Sequence, residues 1–313
     1  RQWWRVAATT HDGDVNKLRE REGRLFGHAW LENDHEESNK VAARKSAIRL
    51  RLSRWDPGRL ENWQGLGSVS HPEVIKPVGS DLYLGYGPLV FKNGTVLKGN
   101  AAVQDRETAT LSLALPETEW PLIQQALWLI DRFGTVGGRN RNGWGSFSLS
   151  PIDATEALQG KLPLRDWQEC LKLDWPHASG KDEHGALIWQ TEAWDDWKTL
   201  MQELAAIKIG MRTQFKFSTG RNAQHTEPRH WLSYPVTNHS VKAWGNNARL
   251  PTSLRFKIRP DTANPDKLRG IIFHVPCLPP AAFSPDKQAI VQVWRNVHDF
   301  LSNHEKLTRV LES

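Results

Sequence analysis

The densest chemistry in this chain lies in twelve residues, Gly134-Thr-Val-Gly-Gly-Arg-Asn-Arg-Asn-Gly-Trp-Gly145. Their glycines permit positive φ and close backbone approach, so main-chain amides can point at phosphate oxygens. Arg139 and Arg141 add charge and two-pronged donors. Asn140 and Asn142 tolerate the left-handed region, and Trp144 offers a face on which a base can stack. No Gly-Lys-Ser/Thr follows, and the segment leads toward a strand, which excludes a Walker phosphate loop. The plain alternative is a long connection. The density of Gly, Arg and Asn favours an anion-binding loop, with Gly137, Gly138, Arg139, Asn140, Arg141, Asn142 and Trp144 as its candidate contacts.

Other residue groupings support less. His225, His230 and His239 fall in a basic stretch, and a pair of them could run metal-independent acid–base cleavage of RNA. His11-Asp-Gly-Asp14 and His35-Glu-Glu37 contain metal-ligating types, but neither belongs to a larger ligand constellation. Two cysteines, Cys170 and Cys277, are too few for a zinc site and suggest no disulfide framework. A reducing cytoplasm is the default expectation, with no cofactor. No stretch approaches the ~18 uncharged apolar residues of a membrane helix, and no signal peptide is visible. The sequence begins at Arg1 rather than at a methionine.

The charge pattern points the same way as the loop. The net charge is +6 and the isoelectric point about 9.3. From Lys208 to Arg269 twelve Lys/Arg face three acids, Glu227, Asp261 and Asp266, a local excess of nine. The rest of the chain is therefore slightly acidic, and the positive charge is gathered as a polyanion partner requires. A solvated basic face without a ligand is the alternative. Sixteen tryptophans against three tyrosines supply core and interface material.

The elements that must position these residues follow from periodicity. Arg1 to Thr10 and Asp14 to Phe26 read as helices, the second ending at Gly27. Ala43 to Trp55 alternates as a half-buried strand, with Ile48, Leu50 and Leu52 on one side and Arg49 and Arg51 on the other. Pro57 to Gly99 is a Gly/Pro-rich insertion with short strands and the motif YLGYGP, Tyr83 to Pro88. Thr108 to Leu115 is a strand. Pro121 opens a helix with Leu122, Ile123, Ala126, Leu127, Ile130 and Phe133 on its apolar face. Ser146 to Ser150 is a short strand. A connector spans 153–185. A second set then runs as a strand at Ala186 to Thr191, a helix at Trp194 to Ile209, strands at Leu250 to Arg259 and Gly270 to Val275, and a final helix capped by Ser284. Strands interleaved with two helices in each half give an α+β chain of two split β-α-β modules, 1–152 and 186–313.

The loop, read as GGRNRNGWGSF over Gly137 to Phe147, resembles the glycine-rich signature of the RAMP superfamily of CRISPR RNA-binding proteins. RQWWR at Arg1 to Arg5, Glu22-Gly-Arg-Leu-Phe-Gly27 and YLGYGP are similar to stretches of the first Cmr-type subunits of type III-B effector complexes. Arg249-Leu-Pro-Thr-Ser-Leu254 resembles an RxPSPL stretch of RAMP modules, with Thr252 and Leu254 departing in detail. The resemblance implies two ferredoxin-like modules, the first with its opening strand upstream of Arg1. It implies a non-catalytic RNA-binding subunit that holds the 3′ region of the guide RNA, the target RNA or both beside other RAMP subunits in antiviral defence. In such complexes target cleavage and cyclic-nucleotide synthesis belong to other subunits. The alternatives are a metal-independent RAMP endoribonuclease that processes guide RNA and a free-standing single-stranded RNA-binding protein. On either RNA-binding reading Arg1, Arg5, Arg44, Lys45, Arg139 and Arg141 form one basic rim. Arg221, Arg229, His230, Arg249 and Arg255 form another, positioning phosphates without reading sequence.

Overall fold

A computed structural model describes residues 1–9, 14–29, 34–36, 39–54, 63–98, 102–152, 157–245 and 247–310. His11 to Gly13 and Glu37, which belong to the two metal-type groupings above, lie outside the described residues. In chain order the first elements are α1 (Gln2–Ala8), α2 (Val15–Phe26), β1 (His35–Glu36), β2 (Asn39–Lys40), β3 (Arg49–Leu52), β4 (Ser68–Val69), β5 (Val78–Gly79) and α3 (Ser80–Gly85). Next come β6 (Leu89–Phe91), β7 (Thr95–Leu97), β8 (Leu111–Ala114), α4 (Trp120–Phe133), β9 (Leu164–Asp166), α5 (Trp167–Cys170), β10 (Ser179–Asp182) and β11 (Gly185–Ala186). The last are β12 (Ile188–Thr191), α6 (Trp197–Thr213), β13 (Leu254–Pro260), β14 (Leu268–His274), α7 (Lys287–Ser302) and β15 (Leu307–Arg309). No helix among the described residues is long and apolar enough to cross a membrane.

The chain divides into two compact units that interleave along the sequence. One comprises Arg1–Asn62, Gly99–Arg132 and Leu149–Pro163; the other comprises Trp63–Lys98, Phe133–Ser148 and Leu164–Ser313. This partition differs from the one read along the sequence, because 63–98 and the glycine-rich segment group with the C-terminal residues.

In the first unit α1 buries Trp3, Trp4 and Val6, and Trp4 meets Phe26 edge-on at 5.5 Å. The Asp14 side chain caps α2 by accepting from the Asn16 and Lys17 amides. The helix must end at Gly27, where φ is +75° and a Cβ would lie 2.6 Å from the Arg44 carbonyl oxygen. β3 and β8 pair antiparallel as a two-stranded ribbon. Leu50 is 68% exposed there, so the expected half-buried strand is instead a largely solvated one. Among the described residues the ribbon has two strands, and β3 buries none of its residues fully.

Asp34 is the buried polar anchor of this unit. Its carboxylate accepts Arg44 Nε at 2.8 Å and Nη2 at 3.1 Å and lies 2.6 Å from His28 Nε2. The Arg44 and His28 hydrogen bonds hold the carboxyl well below the usual carboxylate range. Asp34→Asn is therefore expected to destabilise the protein, because the Arg44 and His28 network loses its anion. A lowered urea midpoint with unchanged m-value is the readout.

In the second unit β12-α6-β13-β14-α7-β15 follow in sequence, and the sheet order is β13-β14-β12-β15, all antiparallel. That is the strand order of a split β-α-β module and is compatible with a ferredoxin-like fold. Leu200, Met201, Leu204, Ile290, Val293, Trp294, Val297 and Leu301 from α6 and α7 pack with Trp189, Leu254, Phe256 and Ile272 of the sheet in one core. Asp196 and Asp286 cap the two helices, accepting from the Thr199 and Ala289 amides. Ser284, the predicted cap of the last helix, instead takes a left-handed conformation two residues earlier. Between sheet and α7 runs a buried polar chain: Ser253 Oγ lies 2.9 Å from His274 Nε2, and His274 Nδ1 lies 2.9 Å from His298 Nε2.

Candidate nucleic-acid interface

The glycine-rich segment belongs to the second unit and is strapped shut at its base. The Val136 amide donates to the Gly145 carbonyl at 3.0 Å, and Thr135 bridges Ser146. That single bridge stands where a strand at Ser146 to Ser150 was predicted. Gly145 has φ +68°, and a Cβ there would lie 1.9 Å from the Val136 carbonyl oxygen, so only glycine fits.

The segment then runs along the free edge of β13. The Phe256 amide donates to the Arg141 carbonyl at 3.0 Å, and the Ile258 amide donates to Ser146 Oγ at 2.9 Å. Lys257 Nζ donates to the Phe147 carbonyl at 2.8 Å, and the Phe133 and Phe273 rings meet at 5.0 Å. Phe133 to Phe147 thus covers the sheet side that carries Arg255 and Lys257.

YLGYGP forms the other wall. Its first residues end α3, and the chain turns at Tyr86. Asn142 Nδ2 donates to the Leu84 carbonyl at 2.7 Å, and Asn142 Oδ1 accepts from Lys208 Nζ of α6. Arg139 Nε donates to the Tyr86 carbonyl. Gly87, at φ +117°, leaves room for the Arg139 guanidinium, which would lie 3.4 Å from a Cβ there.

This geometry sorts the predicted contacts. Val136, Gly137, Gly138 and Arg139 are exposed at the tip, with Arg139 itself left-handed at φ +57°. Asn140 is half-buried and faces the Thr135 carbonyl. Arg141 is half-buried, and burial lowers its guanidinium pKa. Asn142 is buried and held on both sides, which makes it a brace rather than a ligand contact. Trp144 is half-buried against Trp63 at 5.4 Å and Trp197 at 6.3 Å, so its ring is committed to packing.

Of the two expected rims, several members are drawn into internal contacts and only some stay on open faces. In the first unit Arg5 is paired with the buried Glu22 and Arg44 with Asp34, while Arg1 donates to the Phe26 and Gly27 carbonyls at 2.7 Å. Lys45 is exposed. In the second unit Arg221 and Arg249 are exposed, and Arg221 donates to Asn238 at 2.8 Å. Arg229 is buried with Nη1 on both Glu73 oxygens, at 2.7 and 2.8 Å. His230 is buried and accepts the Glu227 amide at 2.9 Å. Arg255 is 7% exposed, and burial beside Arg141 lowers its pKa to about 9, which still leaves it charged at neutral pH. The physical reason is the covering segment: alternating cations on β13 mark a wet face only if nothing lies over it.

The glycine-rich residues 137–147 stand at the end of the stretch that carries family similarity. Residues 1–148 match the RAMP superfamily. The RAMP match thus includes α1, α2, the YLGYGP wall and the whole glycine-rich segment, and it stops short of the β12–β15 sheet. No curated protein and no solved structure matches the chain.

Sequence reasoning missed Lys208 and the α3–Tyr86 wall as partners of the loop. Lys208 opens the basic window, but its helical position put it on no predicted rim. Only the polar Lys208 and Arg212, four residues apart in a helix otherwise rich in apolar residues, mark a shared face.

Proposed function

We propose that this protein is a non-catalytic RNA-binding subunit of a type III-B CRISPR effector complex. It is built from two ferredoxin-like modules and holds the guide RNA 3′ region and the target RNA beside other RAMP subunits. The observation that carries the reading is the RAMP match ending on a loop whose exposed tip presents glycine amides and the Arg139 guanidinium. Backbone amides and guanidinium groups of this kind grip phosphates without selecting bases.

Arg139→Ala with Arg141→Ala is expected to weaken single-stranded RNA binding by about 1–3 kcal/mol per lost charge-assisted contact and to flatten its salt dependence. Fluorescence anisotropy across a salt series measures both. Unchanged affinity and slope would make the loop purely structural. Labelled RNA incubated with the protein is expected to stay intact, and affinity purification from cells to bring down guide RNA with further RAMP subunits.

A further inference from the structure

Two stretches of the second unit, 216–223 and 236–242, meet side by side. Ala223 bridges Val241, the Ala223 amide donates to the Ser240 carbonyl at 2.7 Å, and the Lys242 amide donates to the Ala223 carbonyl at 2.9 Å. Their pairing brings flat groups together. The Phe217 and His239 rings are stacked, with centroids 3.9 Å apart and planes 8° from parallel. Behind them the buried Arg229 guanidinium stands over the Phe217 ring at 5.4 Å, and the buried His230 ring meets Phe217 at 4.9 Å. Arg229 is itself fixed by both Glu73 oxygens. His239 is held in place as well: its Nδ1 donates to the Thr219 carbonyl at 2.6 Å, and its amide donates to the Val236 carbonyl at 3.1 Å. The imidazole is half-buried, and among the described residues Phe217 is the one ring stacked on it. The stack therefore runs from a buried, braced end to a ring that still reaches solvent.

The charge around this ring has one sign. Glu227 is the single acid between Lys216 and Arg249. Its carboxylate is consumed internally, accepting the amides and hydroxyls of Ser218 and Thr219. Lys216, Arg221 and Lys242 are exposed. Arg221 donates to the side chain of Asn238, the residue before His239, at 2.8 Å, which sets its guanidinium beside the stack. An immobilised flat ring next to exposed cations suits a ligand that carries a π face and a phosphate together, as a nucleotide does. We propose that His239 is a stacking platform for the base of one unpaired RNA nucleotide, with the Arg221 guanidinium on its phosphate. Because the ring is already braced, the contact needs no rearrangement, and a π face accepts any base. The inference rests on the RNA-binding reading above and adds to it a base contact outside the glycine-rich loop.

The test uses the full chain with labelled single-stranded RNA, a strand of equal length lacking its bases, and a salt series. His239→Ala is expected to weaken binding of the intact strand about tenfold and to leave the slope of log Kd against log salt unchanged, since a stacked ring releases no counterion. His239→Tyr keeps a flat ring and should stay within about twofold of the wild type. On the abasic strand wild type and His239→Ala should bind alike. Arg221→Gln should weaken both strands and reduce the slope by about 0.7. Wild-type affinity of His239→Ala for the intact strand, with Arg139→Ala/Arg141→Ala still impaired, would overturn the platform and leave the RNA-binding reading standing. An equal loss on both strands would also overturn it, because it marks a structural role. If His239→Ala does not fold, the wild type decides: equal affinity for intact and abasic strands overturns the stack, and a weaker abasic complex, reproduced by His239→Tyr, supports it. A wild type that binds neither strand would overturn both readings. Saturable binding of a 5′-mononucleotide that is lost in His239→Ala, with RNA affinity equal in the two proteins, would assign the site to a free nucleotide and overturn the strand.

Discussion

Gly145→Ala is expected to lower stability by about 4 kcal/mol and to release the glycine-rich segment from β13. Two costs combine. A residue with a Cβ at φ +68° is strained by about 1 kcal/mol. The larger cost is steric: the new methyl would sit 1.9 Å from the Val136 carbonyl oxygen, which is itself fixed in the strap that closes the loop. Backbone cannot swing aside as a flexible side chain can, so the strap must open. Hydrogen exchange should then accelerate at the Val136, Phe256 and Ile258 amides, whose acceptors lie in this segment. Gly137→Ala is the comparison: a Cβ there meets nothing within 4 Å, although φ is +82°. That variant should lose only about 1 kcal/mol. Equal losses in the two would remove the steric account.

The second large effect is acid sensitivity. His274 is fully buried and stacks on Trp294 at 4.2 Å, and His298 packs against Trp167 at 5.0 Å and Trp189 at 5.9 Å. Burial lowers the pKa of His298 to about 3 and pushes His274 well below its ordinary value. Both imidazoles are therefore neutral in the folded protein at neutral pH. As neutral rings they pass one hydrogen bond along the Ser253–His274–His298 chain. The unfolded chain protonates the same rings near pH 6.5, so it binds more protons than the folded state below that pH. Stability should be level above about pH 7 and fall as the pH drops from about 6.5 toward 3. His298 alone contributes on the order of 1.4 kcal/mol per pH unit, roughly 4 kcal/mol over that range. Urea midpoints at about pH 7.5 and 4.5 measure it before most carboxylates titrate. A His298→Phe variant should show a shallower loss between those two values, and a loss as steep as in the wild type would contradict the assignment.

How much of this was readable beforehand differs by element. α4, α6 and α7 announce themselves through apolar spacing and α2 through its charged helical pattern, with Gly27 marking its end. The order β12-α6-β13-β14-α7 follows from alternation at Leu254 to Arg259 and the apolar run at Ile271 to Phe273, whereas the short β15, Leu307–Arg309, has no such pattern and is not legible in the sequence. The loop is legible as glycine, arginine and asparagine, but its inward half is not. Asn142 is fixed by Leu84 and Lys208, and Trp144 by Trp63 and Trp197, partners more than fifty residues away in sequence. Arg229 looked like one more cation in a basic window because its carboxylate, on Glu73, lies 156 positions earlier. Arg255 and Lys257 read as a solvated face because alternation tells which residues share a side of a strand, not what lies over that side.

An edge strand left bare is a template on which a stranger's backbone can continue the sheet. β13 is such an edge, and Arg141 and Ser146 take up two of its outward amides. The segment that carries the candidate phosphate grip therefore also acts as a chaperone to its own sheet. Substitutions that loosen it should reveal themselves as sticky, self-associating protein at high concentration before any loss of RNA affinity is scored.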